Sequence, residues 1–321
     1  MQTTRLALAA AALLVAGPGA AAEISRDAVE TASYDGGPLP DDQNPLIVKL
    51  QVLLDRAGVS PGVVDGWWGE NVKTALMAFE TREGLDADGV LDPEAWQALG
   101  GPDASGIMSD YTVTEEDMNA RIVDEIPDDW KKLAEMDWLG YTSIGEMLAE
   151  RFHMDVKFFA LLNGGLEPEA GDTVIVAQPG EPDTTSVARI EVSRSAEHVR
   201  GFDADGNLVA HYPATVGSAE LPSPSGTHEV SAIAPEPNYT FDPENIPEAD
   251  VDEKLIIPPG PNGPVGTMWI DLTEPTYGLH GTPDPASIGK VASHGCVRLT
   301  NWDAEELAGR VKQGVTVAFV D

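Results

Sequence analysis

Residues 277–301, "YGLHGTPDPASIGKVASHGCVRLTN", hold Cys296, the only cysteine of the chain, and two of its six histidines, His280 and His294. A thiol two residues from an imidazole, in a loop full of glycine, admits three chemistries. A zinc site needs four tetrahedral donors, or three and an open water position. H-x-C is an unusual pair for that, and no second His/Cys-rich spacing exists to complete it. Burial as a small hydrophobe is the ordinary fate of a lone cysteine. Gly295 beside the thiol argues instead for close backbone approach or special φ/ψ. A nucleophile uses every element: an imidazole takes the thiol proton and holds the thiolate as an ion pair, which lowers the cysteine pKa. Backbone N–H groups of a glycine turn can then stabilise the oxyanion of an attacked acyl group.

Outward from this stretch, residues 187–321 read as strands. "ARIEVS" alternates, "HVRGF" and "LVAHYPATV" flank the D-G turn in "DADGN", and "GTHEVSAI", "GTMWIDL" and "GVTVAFVD" follow. One helix is expected, Asp303 to Val311, with Thr300 or Asn301 as its cap. The fold class expected here is a mostly β domain. Residues 235–264 are too Pro-rich and charged for regular structure and read as a long loop of the kind used as a lid.

The rest of the 321 residues divides in three. Residues 1–22 have one basic residue, an apolar run and A-x-A at Ala20 and Ala22, the pattern of a cleaved signal peptide. The run is too short for an anchor, and no later segment approaches ~20 apolar residues, so an exported chain without a membrane anchor is expected. Residues 23–44 read as a flexible lead-in. In 45–100, Leu46, Leu50 and Leu54, then Val72, Leu76 and Phe79, recur at helical spacing, and a short third helix fits Pro93–Leu99: a small all-α domain. Trp67 and Trp68 could stack on a sugar, with at least one of them more simply in the core. After "GGPDASG", residues 111–178 place Ile144, Leu148 and Phe152 on one helical face, a second helix from Val156, and a strand in "AGDTVIVA". His153 reads as a surface residue of that first helix, and His211 and His228 carry no motif.

The net charge of −35 repels nucleic acid and anionic lipid, which require basic patches, and reads otherwise as a solubility device. A lone thiol in an exported chain forms no internal disulfide.

"YGLHGT…SHGCVRL.N" resembles the active-site signature of the L,D-transpeptidases, the YkuD-type catalytic domain, over residues 187–321. The first segment, with its "VVDGWWGE" and "LDADGVLD" turns, resembles the three-helix peptidoglycan-binding domain. Residues 111–178 resemble a divergent α+β LysM-like module whose first strand, "YTVTEEDM", lies far upstream. The resemblance implies Cys296 as nucleophile, and His280 as base with its ring oriented by the Gly281 carbonyl. His294 would shape the pocket, while Gly295 and Cys296 would supply oxyanion N–H groups. Arg298 would pair with a donor carboxylate or fix the turn, and Ser293 would support by hydrogen bonding. It implies no cofactor and no metal, and as partners the stem peptides and glycan of peptidoglycan; the oligomeric state is left open. The family's reaction is 3→3 cross-linking through a thioester, in a periplasmic or wall-associated enzyme. Water as acceptor would give a carboxypeptidase, and another amine would give D-amino-acid exchange or a wall-anchored protein. Two other readings compete. A non-catalytic wall-binding protein would have no reason to keep the Cys/His/His set. A papain-like NlpC/P60 endopeptidase places Cys before His, whereas His280 precedes Cys296 here.

Overall fold

The computed structural model describes residues 24–165, 167–218, 221–243, 251–291, 293 and 295–321. The expected signal peptide and His294 lie outside the described residues.

The lead-in is more ordered than its composition suggests. Ser25 caps α1 (Arg26–Thr31), Val29 is fully buried, and the Lys49 ammonium donates to the carbonyls of Glu30 and Ala32 at 3.1 and 3.0 Å. A helix this short forms only because tertiary contacts hold it. Three helices follow as the spacing predicts. α2 (Pro45–Arg56) starts on the Asn44 cap with proline at its first position. α3 (Glu70–Glu83) ends on Gly84 at φ 72°, and α4 (Pro93–Ala98) is capped by Asp92. Trp68 packs against the core, whereas Trp67 is 48% exposed.

β1 (Met108–Thr112) begins just after the "GGPDASG" stretch and a few residues ahead of the segment start expected at 111. After α5 (Trp130–Glu135), α6 (Ile144–Arg151) and α7 (Val156–Leu162), β2 (Thr173–Ala177) pairs with it antiparallel, from Met108↔Ala177 to Thr112↔Thr173. These elements share one apolar core with the first helices: Leu54, Leu76 and Phe79 belong to the same cluster as Leu148, Phe158 and Val174. His153 is not a simple surface residue. It sits between α6 and α7 at φ 56°, with Nδ1 2.7 Å from an Asp55 carboxylate oxygen and its ring stacked on Trp302 at 5.0 Å.

The second half is built on β3 (Arg189–Ser193), β4 (His198–Phe202), β5 (Leu208–Pro213), β6 (Gly226–Pro235), β7 (Tyr239–Phe241), β8 (Leu255–Ile257), β9 (Met268–Leu272), β10 (Gly278–His280), β11 (Val297–Arg298) and, after α8 (Asn301–Arg310), β12 (Thr316–Val320). Eight strands form one sheet in the order β11-β10-β9-β6-β12-β3-β4-β5. Its pairings are antiparallel except β10 with β11 and β12 with β3. Beyond β5 the chain returns to the opposite edge, where Thr215 and Arg298 exchange two backbone hydrogen bonds of 2.9 Å. The sheet therefore curls towards closure, which leaves β11 with a partner on each side. α8 packs across β9 and β10, and Thr300 is its cap, accepting from the Asp303 N–H at 3.1 Å.

The 235–264 stretch departs from the expectation of irregular loop. β7 and β8 pair antiparallel, Tyr239↔Ile257 to Phe241↔Leu255, and close on α5 around Leu133, Leu139, Phe241, Val251 and Ile257. Trp130 lies 4.6 Å from Phe241 and 6.1 Å from Tyr239, ring to ring. The apolar residues of this small core come from two stretches about a hundred residues apart, so neither shows a period of its own.

Candidate active site

The sheet edge brings the signature residues together. β10 and β11 run parallel with Leu279↔Val297 and His280↔Arg298 in register. Residues in register on paired strands share a face, so His280 and Arg298 face one side, and Cys296, in the bend just before β11, lies close enough to Arg298 for that charge to act on its thiol. His280 is 3% exposed and stacked on Trp269 of β9 at 5.4 Å and 17°. Its Nδ1 lies 2.6 Å from the Gly281 carbonyl, which can only accept, so the proton sits on Nδ1 and Nε2 carries the lone pair. The Gly281 backbone is pressed on Asn301: a Cβ there would stand 2.2 Å from Asn301 Oδ1.

Two serines brace the turn before the thiol. Ser293 Oγ donates to the Cys296 carbonyl at 2.5 Å and accepts the Gly295 N–H at 3.1 Å. Ser223 Oγ donates to the Gly295 carbonyl and accepts the Gly217 N–H, both at 2.8 Å. Gly295 holds φ 114°, and a Cβ there would meet Tyr277 Cε1 at 2.8 Å, so only glycine passes the chain here. Cys296 Sγ rests 3.7 Å from the carbonyl of Thr276, itself at φ 71°.

Burial dominates the electrostatics. It pushes the Cys296 thiol up, against the pull of the Gly278 N–H and the Arg298 charge. It pushes the His280 imidazole down to about 4, with Arg298 adding to the fall and the Gly281 carbonyl opposing it. Both groups are therefore neutral at pH 7, which differs from the ion pair that a Cys/His pairing suggests. Arg298 keeps its charge although burial lowers its pKa, and its neighbours Cys296 and Tyr239 oppose that lowering.

The pattern of the signature pointed at Cys296, His280, Gly281, Gly295, Arg298 and Ser293. It did not single out Ser223, Trp269, Thr276, Gly278 or Tyr239. Ser223 lies in "PSPSG" with only a polar neighbourhood as signal, and Tyr239 comes from the stretch read as loop. Asn301 was legible only as a possible cap, a task that falls to Thr300.

A family model described as the L,D-transpeptidase catalytic domain matches residues 188–320, and a peptidoglycan-binding domain model matches 43–99. A YkuD protein of Bacillus licheniformis bearing an L,D-transpeptidase name is 35% identical over 158 residues, 49% of this chain and 79% of that protein. The chain belongs to the L,D-transpeptidase family. The Bacillus subtilis YkuD protein is 32% identical over 151 residues, 47% of this chain and 76% of its own length. Among solved structures, an L,D-transpeptidase from Xylanimonas cellulosilytica aligns at 16% identity and a TM-score of 0.38, covering 90% of this chain and 100% of that one. Family membership places the chain among acyl-transferring enzymes of the cell wall, with a peptidoglycan-binding domain ahead of the catalytic one.

Proposed function

We propose that this L,D-transpeptidase acylates Cys296 with a peptidoglycan stem and passes the acyl group to an amine. Cys296 Sγ attacks the carbonyl of the third residue of a tetrapeptide stem while His280 Nε2 takes the thiol proton. The tetrahedral oxyanion collapses, the C–N bond to the terminal D-Ala breaks, and the leaving amine receives the proton from His280. The side-chain amine of a second stem then attacks the thioester, His280 takes its proton, and the thiolate leaves, giving a 3→3 cross-link. The observation that carries the reading is His280, its Nδ1 held by Gly281, on the same sheet face as Arg298, whose charge acts on the Cys296 thiol.

The Gly295 N–H already donates to Ser293, so the oxyanion role falls first to the Cys296 N–H, with Gly295 joining only if Ser293 turns away. Arg298, half-buried beside Cys296, suits the carboxylate of the departing D-Ala and steadies the developing thiolate. His294 would shape the pocket wall. Among the described residues no helix is long and apolar enough to cross a membrane, and we place the enzyme outside the cytoplasmic membrane, in the periplasm, where its substrate lies. The 45–100 helical domain would supply glycan or stem affinity and raise the effective substrate concentration; the 111–178 segment would be a divergent LysM-like module, with α5 inserted between β1 and the α6–α7–β2 unit.

The test is mass spectrometry of the mature protein and of Cys296→Ala after incubation with a disaccharide tetrapeptide. A thioester adduct absent from the variant, with dimeric product, supports the proposal. An adduct with tripeptide alone makes the enzyme a carboxypeptidase. No adduct and no product, with glycan still bound, would leave a binding protein.

A further inference from the structure

The middle segment meets the catalytic domain at the residue that backs the histidine. Asn301 opens α8 and is 3% exposed. Its Nδ2 donates to Glu150 Oε2 at 2.9 Å and to the Pro261 carbonyl at 3.2 Å, while its Oδ1 accepts the Thr267 N–H at 3.2 Å. Against that same Oδ1 lies the Gly281 backbone, and Gly266 beside it at φ 60° would bring a Cβ within 2.0 Å. Glu150 comes from α6, is buried, and takes a longer bond from the Tyr141 hydroxyl at 3.4 Å. Burial pushes its carboxyl up to about 8, so at neutral pH it serves chiefly as a hydrogen-bonding group. The docking around it is tight: the Leu139 N–H donates to the Pro259 carbonyl at 2.9 Å, and Asn262 Nδ2 donates to the Gly140 carbonyl at 2.9 Å and to Glu146 Oε1 at 2.7 Å.

We propose that Glu150 is a positioning residue for the catalytic base: it fixes the Asn301 amide, which seats the Gly281 peptide, whose carbonyl sets the Nδ1–H of His280. The middle segment then completes the active site and is more than a tether to the wall. This rests on His280 acting as the base, as proposed above.

The experiment compares the full chain with Glu150→Met, which keeps the bulk and removes the acceptor, and with Glu150→Gln, which keeps an acceptor oxygen. Expected for Glu150→Met is a kcat lowered about tenfold with KM within about twofold, and an acid limb of kcat/KM moved to higher pH as the loosened imidazole gains water. Glu150→Gln recovers kcat to within about threefold of wild type. A folded Glu150→Met with wild-type kcat and pH profile overturns the proposal. Should that variant not fold, Asn301→Asp is compared with the double variant Asn301→Asp/Glu150→Gln, in which donor and acceptor change places. Recovery of kcat in the double variant supports the chain of contacts. A double variant that is folded yet still about tenfold slow overturns it. The wild-type rate measured alongside separates the two readings. If it is absent, the transpeptidase proposal falls and takes this one with it; if it is present and the variants match it, only this inference falls.

Discussion

The neutral resting state of the thiol and imidazole makes a quantitative forecast. The thiol lies above its ordinary 9.0 and the imidazole at about 4. At ~1.36 kcal/mol per unit, moving the proton from Sγ to Nε2 in the free enzyme costs at least about 7 kcal/mol before the new charges attract. A contact ion pair at an effective dielectric of ~20 returns about 4 kcal/mol. At least about 3 kcal/mol remains, which holds the ion pair to no more than about 1% of molecules. Cys296 is the only thiol, so alkylation by iodoacetamide, followed by intact mass across pH, reads it without interference. The rate should rise with its midpoint above about pH 9, from a floor of at most about 1% of the plateau at about pH 6. Replacing Arg298 with methionine removes a charge that favours the thiolate, and should move the rise to still higher pH. A full-height plateau between about pH 5 and 8 would show a preformed thiolate–imidazolium pair and refute the argument that burial dominates this site. The outcome also bears on mechanism, because a neutral pair implies that the stem peptide, by excluding water and offering its carbonyl, brings the proton transfer about.

Gly281→Ala drives a Cβ into Asn301 Oδ1 and should lower kcat about tenfold or more while the protein still melts cooperatively, as calorimetry and a cross-linking assay would show. Asp303 is buried beside Asp55, and both burial and that repulsion push its carboxyl up to about 8. Its folded form holds a proton that the unfolded chain releases above about pH 4, so stability is lost as pH rises from there through about 8. Asp303→Asn should therefore gain on wild type by up to about 1.4 kcal/mol per pH unit over that window in urea titrations, and parallel stability curves would contradict it. Deleting residues 240–258 removes Phe241 and Ile257 from the core around α5, so it should expose Trp130, seen as a red-shifted emission, in addition to any change in acceptor use.

How much could be read in advance follows from how local each cause is. The helices α2, α3, α4, α6 and α7 carry their own caps and apolar period, and the strands β3 to β6 their alternation, so both were legible. The chemistry was legible because the signature packs Cys296, His280 and Gly295 into one short stretch. What stayed hidden depends on contacts between distant parts. α1 has no period and exists because Lys49 and β1 receive it. β7 and β8 gain their apolar partners from α5, and His153 gains its own from Asp55 and Trp302. Composition at a single site cannot show that.

Those distant contacts change what the front of the chain means. Among the described residues, polar bonds join the helical domain directly to the catalytic one: Ser60 Oγ to Asp303 at 3.1 Å, Asn71 Nδ2 to the Ile288 carbonyl at 3.0 Å, and the Ser60 N–H to the His211 carbonyl at 2.9 Å. Asn71 and Ile288 deserve weight because residues 281–296 connect His280 to Cys296, so the helical domain touches the very loop that sets their separation. A tether joined by free linkers would make no such bonds, and substrate capture would then be independent of catalysis. Here, glycan seated on the helical domain would load the same framework that holds the active-site loop. Removing residues 24–100 should accordingly lower kcat on a small soluble stem peptide, where tethering gives no advantage, and a truncated chain that is folded and equally fast on that peptide would return the front domain to the role of a tether.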